Sequence, residues 1–164
     1  MRIKKEKSKF SLIQYRNDER IVELLKKTDK KILAVWAIDC TERVLSYFEK
    51  KYPNDYRPRN AIETLQTWIN TGVFKMRVIR KASLDAHTAA REVGADNSAC
   101  SAARAAGQAV ATAHVKTHSI GAAIYALQAI HRANNTSDAY TDVAKERDWQ
   151  YQQLLKLREK SSLK

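Results

Sequence analysis

The chain has 164 residues, the size of a single ordinary domain, and 30 Lys and Arg against 18 Asp and Glu give it a net charge of +12. Only 4 Gly and 2 Pro occur, which excludes collagen-like and linker-like chains and argues against an all-β fold with many tight turns. The longest uninterrupted apolar run, Ile32 to Ile38, has 7 residues and is far too short to cross a membrane.

Apolar residues recur at three- and four-residue steps along most of the chain, which is the spacing of one face of an α-helix. Polar capping residues and the glycines at 72 and 94 mark helix ends. The sequence has no stretch of alternating β-branched residues, the pattern that would predict a β-strand instead. We therefore predict an all-α fold, a compact bundle or array of six or seven antiparallel helices. The predicted helices cover residues 19–27, 30–51, 57–71, 74–93, 99–115, 120–133 and 138–159.

Residues 1–164 are expected to form one helical domain. Residues 1–16 lack clear periodicity and are expected to pack loosely, and the C-terminal helix over 138–159 is polar.

The positive charge is unevenly distributed along the chain, because residues 1–31 and residues 50–91 each carry a surplus of +6. A lysine-rich surface of this kind serves solubility or attracts polyanions.

Small side chains dominate the second half of the chain, where residues 82–133 contain 18 alanines. Ala103, Gly107, Ala111 and His114 lie on one stripe of the helix predicted over 99–115. Because glycine is costly inside a helix, we expect Gly107 to lie where a neighbouring helix crosses. The two central helices should therefore pack closely.

Asp39 lies on the apolar stripe of the longest early helix, with Arg43 one turn further on. An isolated buried carboxylate is costly, so Asp39 needs a partner. We expect Asp39 to be buried and paired with Arg43 or with the Arg57 and Arg59 segment. The alternative is a pocket in which these arginines hold an anionic ligand.

His114 and His118 are four residues apart, a spacing that places both rings on one face of a continuous helix, as metal sites require. Asp85, His87 or Asp39 could supply a third ligand, but none of them is a convincing one, and the glutamate of a His-Glu-x-x-His motif is missing. We therefore expect both rings to line the centre of the bundle and to bond Asp39, Tyr125 or backbone carbonyls. A metal-dependent enzyme built on this pair is the least favoured interpretation.

No other pattern points to catalysis or to a cofactor. The sequence has no Gly-x-Ser-x-Gly, no phosphate-binding loop and no dinucleotide fingerprint. Cys40 and Cys100 have the spacing of neither a disulfide framework nor a metal site. Because no apolar segment follows the charged N-terminus, we expect no secretory signal and a cytoplasmic location.

The segment W-A-I-D-C-T-E-R-V-L, residues 36–45, resembles the opening helix of a family of small all-helical bacterial immunity proteins of polymorphic toxin systems. The resemblance covers about residues 30–133. Further similar segments are 52–55, 57–63, 103–115, His118, 121–123 and 125–126.

The resemblance implies a non-enzymatic protein that binds and neutralises a cognate toxin protein. The polar residues inside it would then be structural or partner-binding. These are Asp39, Arg43, Arg57, Arg59, His114 and His118. Because the chain is strongly basic, its toxin is expected to be acidic or to be bound by a mainly apolar surface.

The alternative function is that of a basic helical module that binds nucleic acid or another polyanion. The net charge of +12 favours it. No zinc-finger, homeodomain or RNA-recognition signature supports it, and Trp36 and Trp68 occupy core-like positions rather than a stacking platform. No membrane partner is expected, and self-association stays open.

Overall fold

The computed structural model describes residues 12–134 and 138–163, and all regular structure in these residues is helical. None of the helices there combines the length and the apolar character that crossing a membrane requires. The helices are α1 (Leu12–Arg16), α2 (Glu19–Lys26), α3 (Lys30–Glu49), α4 (Arg57–Thr71), α5 (Met76–Glu92), α6 (Ser98–Ala111), α7 (His118–Ala133) and α8 (Ala139–Ser162).

The all-α prediction is confirmed, but the described residues form eight helices rather than six or seven. The additional one is the five-residue α1, in the segment 1–16 that was expected to pack loosely. Residues 1–11 of that segment lie outside the described residues, as do residues 135–137 of the turn expected before the last helix.

Local signals in the sequence set several helix ends. The side chain of Asp18 accepts a hydrogen bond from the backbone N–H of Arg20 and caps α2. Asn97 caps α6 in the same way, accepting from the N–H of Cys100 at 3.0 Å. Gly72 ends α4 in the left-handed conformation, with φ at 68°, where a side chain would be strained. The predicted glycine end of this helix is confirmed.

The alanine-rich α6 packs against α3, α4, α5 and α7, and its contact with α7 is the most extensive between any two helices of the described chain. Gly107 is buried in α6 and faces the His87 ring of α5. A Cβ atom at position 107 would lie 2.7 Å from Nε2 of that ring. The expected helix crossing at Gly107 is confirmed.

α8 is held to the core by buried polar side chains rather than by an apolar stripe alone. Arg147 is buried and donates from Nη1 to Oε1 of Gln150 at 3.0 Å and from Nη2 to the backbone oxygen of Tyr15 at 2.7 Å. Gln150 donates to the backbone oxygen of Ala123 in α7 at 2.9 Å, and Trp36 of α3 donates to the backbone oxygen of Gln150 at 2.8 Å. This polar helix is therefore part of the core.

Candidate functional site

Asp39 is half-buried and its partner is Gln153 of α8, whose Nε2 donates to Oδ2 of Asp39 at 2.9 Å. The expected pairing with Arg43, Arg57 or Arg59 is wrong, because each of those guanidinium groups binds other carboxylates. Burial raises the pKa of Asp39, and the hydrogen bond from Gln153 opposes the rise only in part.

Arg57 and Arg59 belong to two separate surface networks beside the start of α4. Arg57 binds Asp55 at 2.7 Å and also Glu92 of α5. Arg59 binds Glu49 at 2.7 Å and also Glu42, both on α3. The hydrogen bonds to these carboxylates raise the pKa of both guanidinium groups. Both arginines thus connect helices and are not free to clamp an anion.

Arg43 of α3 is held in one orientation by two neighbours from α8. Its Nε and Nη2 atoms donate to the two carboxylate oxygens of Glu146 at 2.7 and 2.8 Å, a bidentate pair. The guanidinium also lies 3.9 Å from the centroid of the Trp149 ring. The carboxylate of Glu146 is buried, whereas the Arg43 side chain is 43% exposed. We call this arrangement of Arg43, Glu146 and Trp149 the Arg43 site.

The Arg43 site opens onto a shallow depression of about 340 Å³, which Tyr47, Ile130, Asp142 and Lys145 also line. Arginine, tryptophan and tyrosine are the residue types that most often anchor protein–protein contacts. An arginine already fixed by its neighbours loses little side-chain entropy on binding. The geometry therefore suits contact with another protein.

His114 and His118 do not line the centre of the bundle, and that prediction is wrong. α6 ends at Ala111 and α7 begins at His118, so the two residues are not on one continuous helix. His114 is exposed and stacks on the Phe74 ring at 6.1 Å between centroids. His118 is half-buried and Nδ1 lies 2.8 Å from Oε1 of Gln108.

The histidine that packs against a central helix is His87 of α5. It is half-buried, and its Nδ1 atom is buried without a hydrogen-bond partner in the described residues. Burial lowers the pKa of His87, and the nearby charges of Arg104 and Arg91 lower it further. Burial likewise lowers the pKa of His118. In the described part of the chain, no three His, Cys, Asp or Glu side chains are grouped closely enough to hold a metal ion.

Exposed apolar and basic side chains are concentrated between the end of α4 and the middle of α5. Residues 71–78, from the last residue of α4 to the first turn of α5, are all exposed. Five of the ten large apolar side chains that are exposed in the described chain lie within positions 73–84. They are Val73, Phe74, Met76, Val78 and Leu84.

A groove of about 430 Å³ runs beside these residues between α4 and α5. Trp68, Val73, Val78 and Ile79 form its apolar wall. The hydroxyl of Thr71, which also borders the groove, donates to the backbone oxygen of Thr67 at 2.8 Å and is not available as a donor to a ligand. The groove therefore favours apolar groups.

The family model described as "Imm-5 like putative immunity protein" matches residues 23–157. The chain belongs to this family. No curated protein and no solved structure is significantly similar to the chain. The match to the immunity-protein family starts in α2 and ends in α8, and is longer at both ends than the resemblance seen over residues 30–133.

The part of the chain that matches the immunity-protein family includes α8, and so includes residues that the sequence interpretation left out. Glu146, Trp149 and Gln153 provide the partners of Arg43 and Asp39. One signal was present in the sequence. Val143, Glu146, Arg147, Gln150 and Leu154 follow three- and four-residue steps, so the polar residues continue an inward face begun by Val143.

Proposed function

We propose that this chain is a bacterial immunity protein that acts in the cytoplasm by binding a cognate toxin protein and blocking its active surface, without catalysing a reaction. The observation that carries the proposal is membership of the immunity-protein family over residues 23–157. The fold adds support, because a rigid all-helical body with exposed apolar and arginine side chains suits stoichiometric binding.

Titration against the toxin tests the proposal directly. The probe is the purified protein encoded by the gene that adjoins the gene of this chain, assayed for its toxic activity in vitro. A stoichiometric inhibitor abolishes that activity at a one-to-one ratio. A protein that modifies the toxin enzymatically protects at much lower ratios, and an absence of both binding and protection contradicts the proposal.

Binding of nucleic acid or another polyanion is the second candidate function. The exposed cations Lys75, Arg77 and Arg80 favour it, because they form no ion pair with any residue in 12–134 or 138–163. A labelled DNA duplex is the probe. Affinity for DNA that falls steeply with salt and exceeds affinity for the adjoining-gene protein supports this candidate over the first.

A further inference from the structure

We propose that the surface formed by Val73, Phe74, Lys75, Arg77, Val78 and Arg80, named here the α4–α5 surface, docks an acidic amphipathic segment of the partner protein. The proposal rests on the proposed function, because it assigns the place at which the toxin is bound. Its occupant has two properties: carboxylates for the three cations and apolar side chains for the groove beside them.

The charge of this surface is positive and uncompensated. Lys75 is the N-cap residue of α5 and Arg77 lies in its first turn, where no acidic residue occurs. The N-terminal end of a helix is already positive, so cations there are locally unfavourable. Arg80 follows Arg77 by three residues and lies on the same side of the helix. Carboxylates of a partner would relieve this repulsion.

The apolar part of the surface gives the occupant its second property. Val73 and Val78 are 58% and 49% exposed, and both line the groove together with Trp68. Single exposed apolar residues are ordinary, but several grouped around a groove mark a place of contact with another molecule. The Lys30 ammonium lies 5.7 Å from the Trp68 ring and adds a further cation near the groove.

Two other occupants fit this surface less well. A second copy of the chain would bring two sets of the same three cations together, which repel each other. Nucleic acid would satisfy the cations, but its phosphates gain nothing from the exposed Val73, Met76 and Val78 side chains.

The test uses the full-length chain and the purified adjoining-gene protein as the probe. The surface variant is Lys75→Glu/Arg77→Glu/Arg80→Glu. The control, Lys31→Glu/Lys50→Glu/Lys51→Glu, reverses three exposed cations elsewhere and gives the same net charge of +6. We expect the surface variant to weaken binding by about 30-fold or more and the control by less than about 3-fold.

A second pair of variants tests the apolar contribution. Val73→Ser/Val78→Ser removes two exposed apolar side chains from the α4–α5 surface, and Tyr47→Ser/Tyr56→Ser removes two elsewhere. We expect about 10-fold weaker binding for the first pair only. All four side chains are exposed, so melting temperatures should stay close to that of the wild type.

The outcomes separate the two proposals. If the wild type binds the probe and surface and control variants weaken binding equally, the α4–α5 surface is not the docking site, although the immunity function stands. If the Tyr47 pair weakens binding and the Val78 pair does not, the docking surface lies around Tyr47 of the Arg43 site or around Tyr56 instead. If the wild type neither binds nor protects, the proposed function is wrong and this inference with it. Tighter, surface-dependent binding of a DNA duplex assigns the surface to nucleic acid.

Discussion

The buried guanidinium of Arg147 in α8 donates from Nε to Oδ2 of Asp18, the N-cap residue of α2, at 3.1 Å across 129 positions of sequence. The same carboxylate accepts hydrogen bonds from the backbone and side-chain nitrogens of Arg20. Asp18 therefore caps one helix and anchors another. The last helix and the first described turns of the chain are stabilised together.

Replacing Arg147 with alanine should destabilise the fold strongly. The Arg147 side chain is 4% exposed, and its loss removes one donor each from the Asp18 carboxylate, the Tyr15 carbonyl and the Gln150 side chain. We expect Arg147→Ala to lower the free energy of unfolding by about 3–5 kcal/mol. Arg20→Ala is the control, because that side chain is 49% exposed and shares the same carboxylate; it should cost no more than about 1 kcal/mol. If urea unfolding shows that Arg147→Ala and Arg20→Ala lose the same unfolding free energy, the buried pair of Arg147 and Asp18 is not the cause of the loss.

The Asp18 carboxylate should also give a pH-dependent contribution to stability. Burial alone would raise the pKa of Asp18, but hydrogen bonds and charges from Arg20 and Arg147 outweigh it and hold the pKa below the ordinary value of 3.8. The contribution is therefore complete above pH 3.8 and is lost as the pH falls through the lower pKa of the folded state. We expect wild type to exceed Asp18→Asn in unfolding free energy at pH 6 and the difference to shrink below pH 3.8. A constant difference down to acid unfolding contradicts this.

Local chemistry explains why much of the fold is predictable from the sequence. Asp18 and Asn97 cap helices through bonds that span two or three residues, and Gly72 ends α4 through its own backbone conformation. Such signals are complete within a short window of the sequence. The family resemblance could likewise be recognised from several short segments taken together, 36–45, 57–63 and 103–115 among them, without any knowledge of packing.

The polar partners could not be predicted, because they depend on how distant helices pack. Arg43 is one turn from Asp39, yet it binds Glu146, which is 103 positions away. The spacing of Val143, Gln150 and Leu154 indicates an inward face on α8, but nothing local indicates that this face packs against α3. The break between α6 and α7 had the same effect on His114 and His118, because a continuous helix would have turned both rings to one side.

Asp39→Asn should leave stability unchanged or raise it at neutral pH, the opposite of what a buried arginine pair would give. Burial raises the pKa of Asp39, so its ionisation weakens the folded state as the pH rises from 3.8 through the folded-state pKa. The asparagine oxygen can still accept from Gln153. We expect the variant to gain on the wild type as the pH rises from 3.8 through the folded-state pKa of Asp39 and then to stay level. Chemical unfolding at several pH values measures this difference. If Asp39→Asn lowers the unfolding free energy by several kcal/mol at pH 7, Asp39 is paired with an arginine after all.

The close approach of Gly107 to the His87 ring makes the effect of Gly107→Ala on stability depend on that ring. The substitution should destabilise the protein when the ring is present and should not when the ring is removed. In the wild type, a Cβ atom at position 107 lies 2.7–2.9 Å from the His87 ring and must displace it. We expect Gly107→Ala to cost about 1–2 kcal/mol, because overpacking outweighs the better helix propensity of alanine.

When the ring is removed by His87→Ala, the same change should be neutral or should stabilise the protein by up to about 1 kcal/mol, because only the helix propensity remains. Unfolding free energies of the wild type, both single variants and the double variant form the measurement. An additive cycle would mean that the His87 ring moves aside freely, and the close approach of α5 and α6 at Gly107 would then need no small residue.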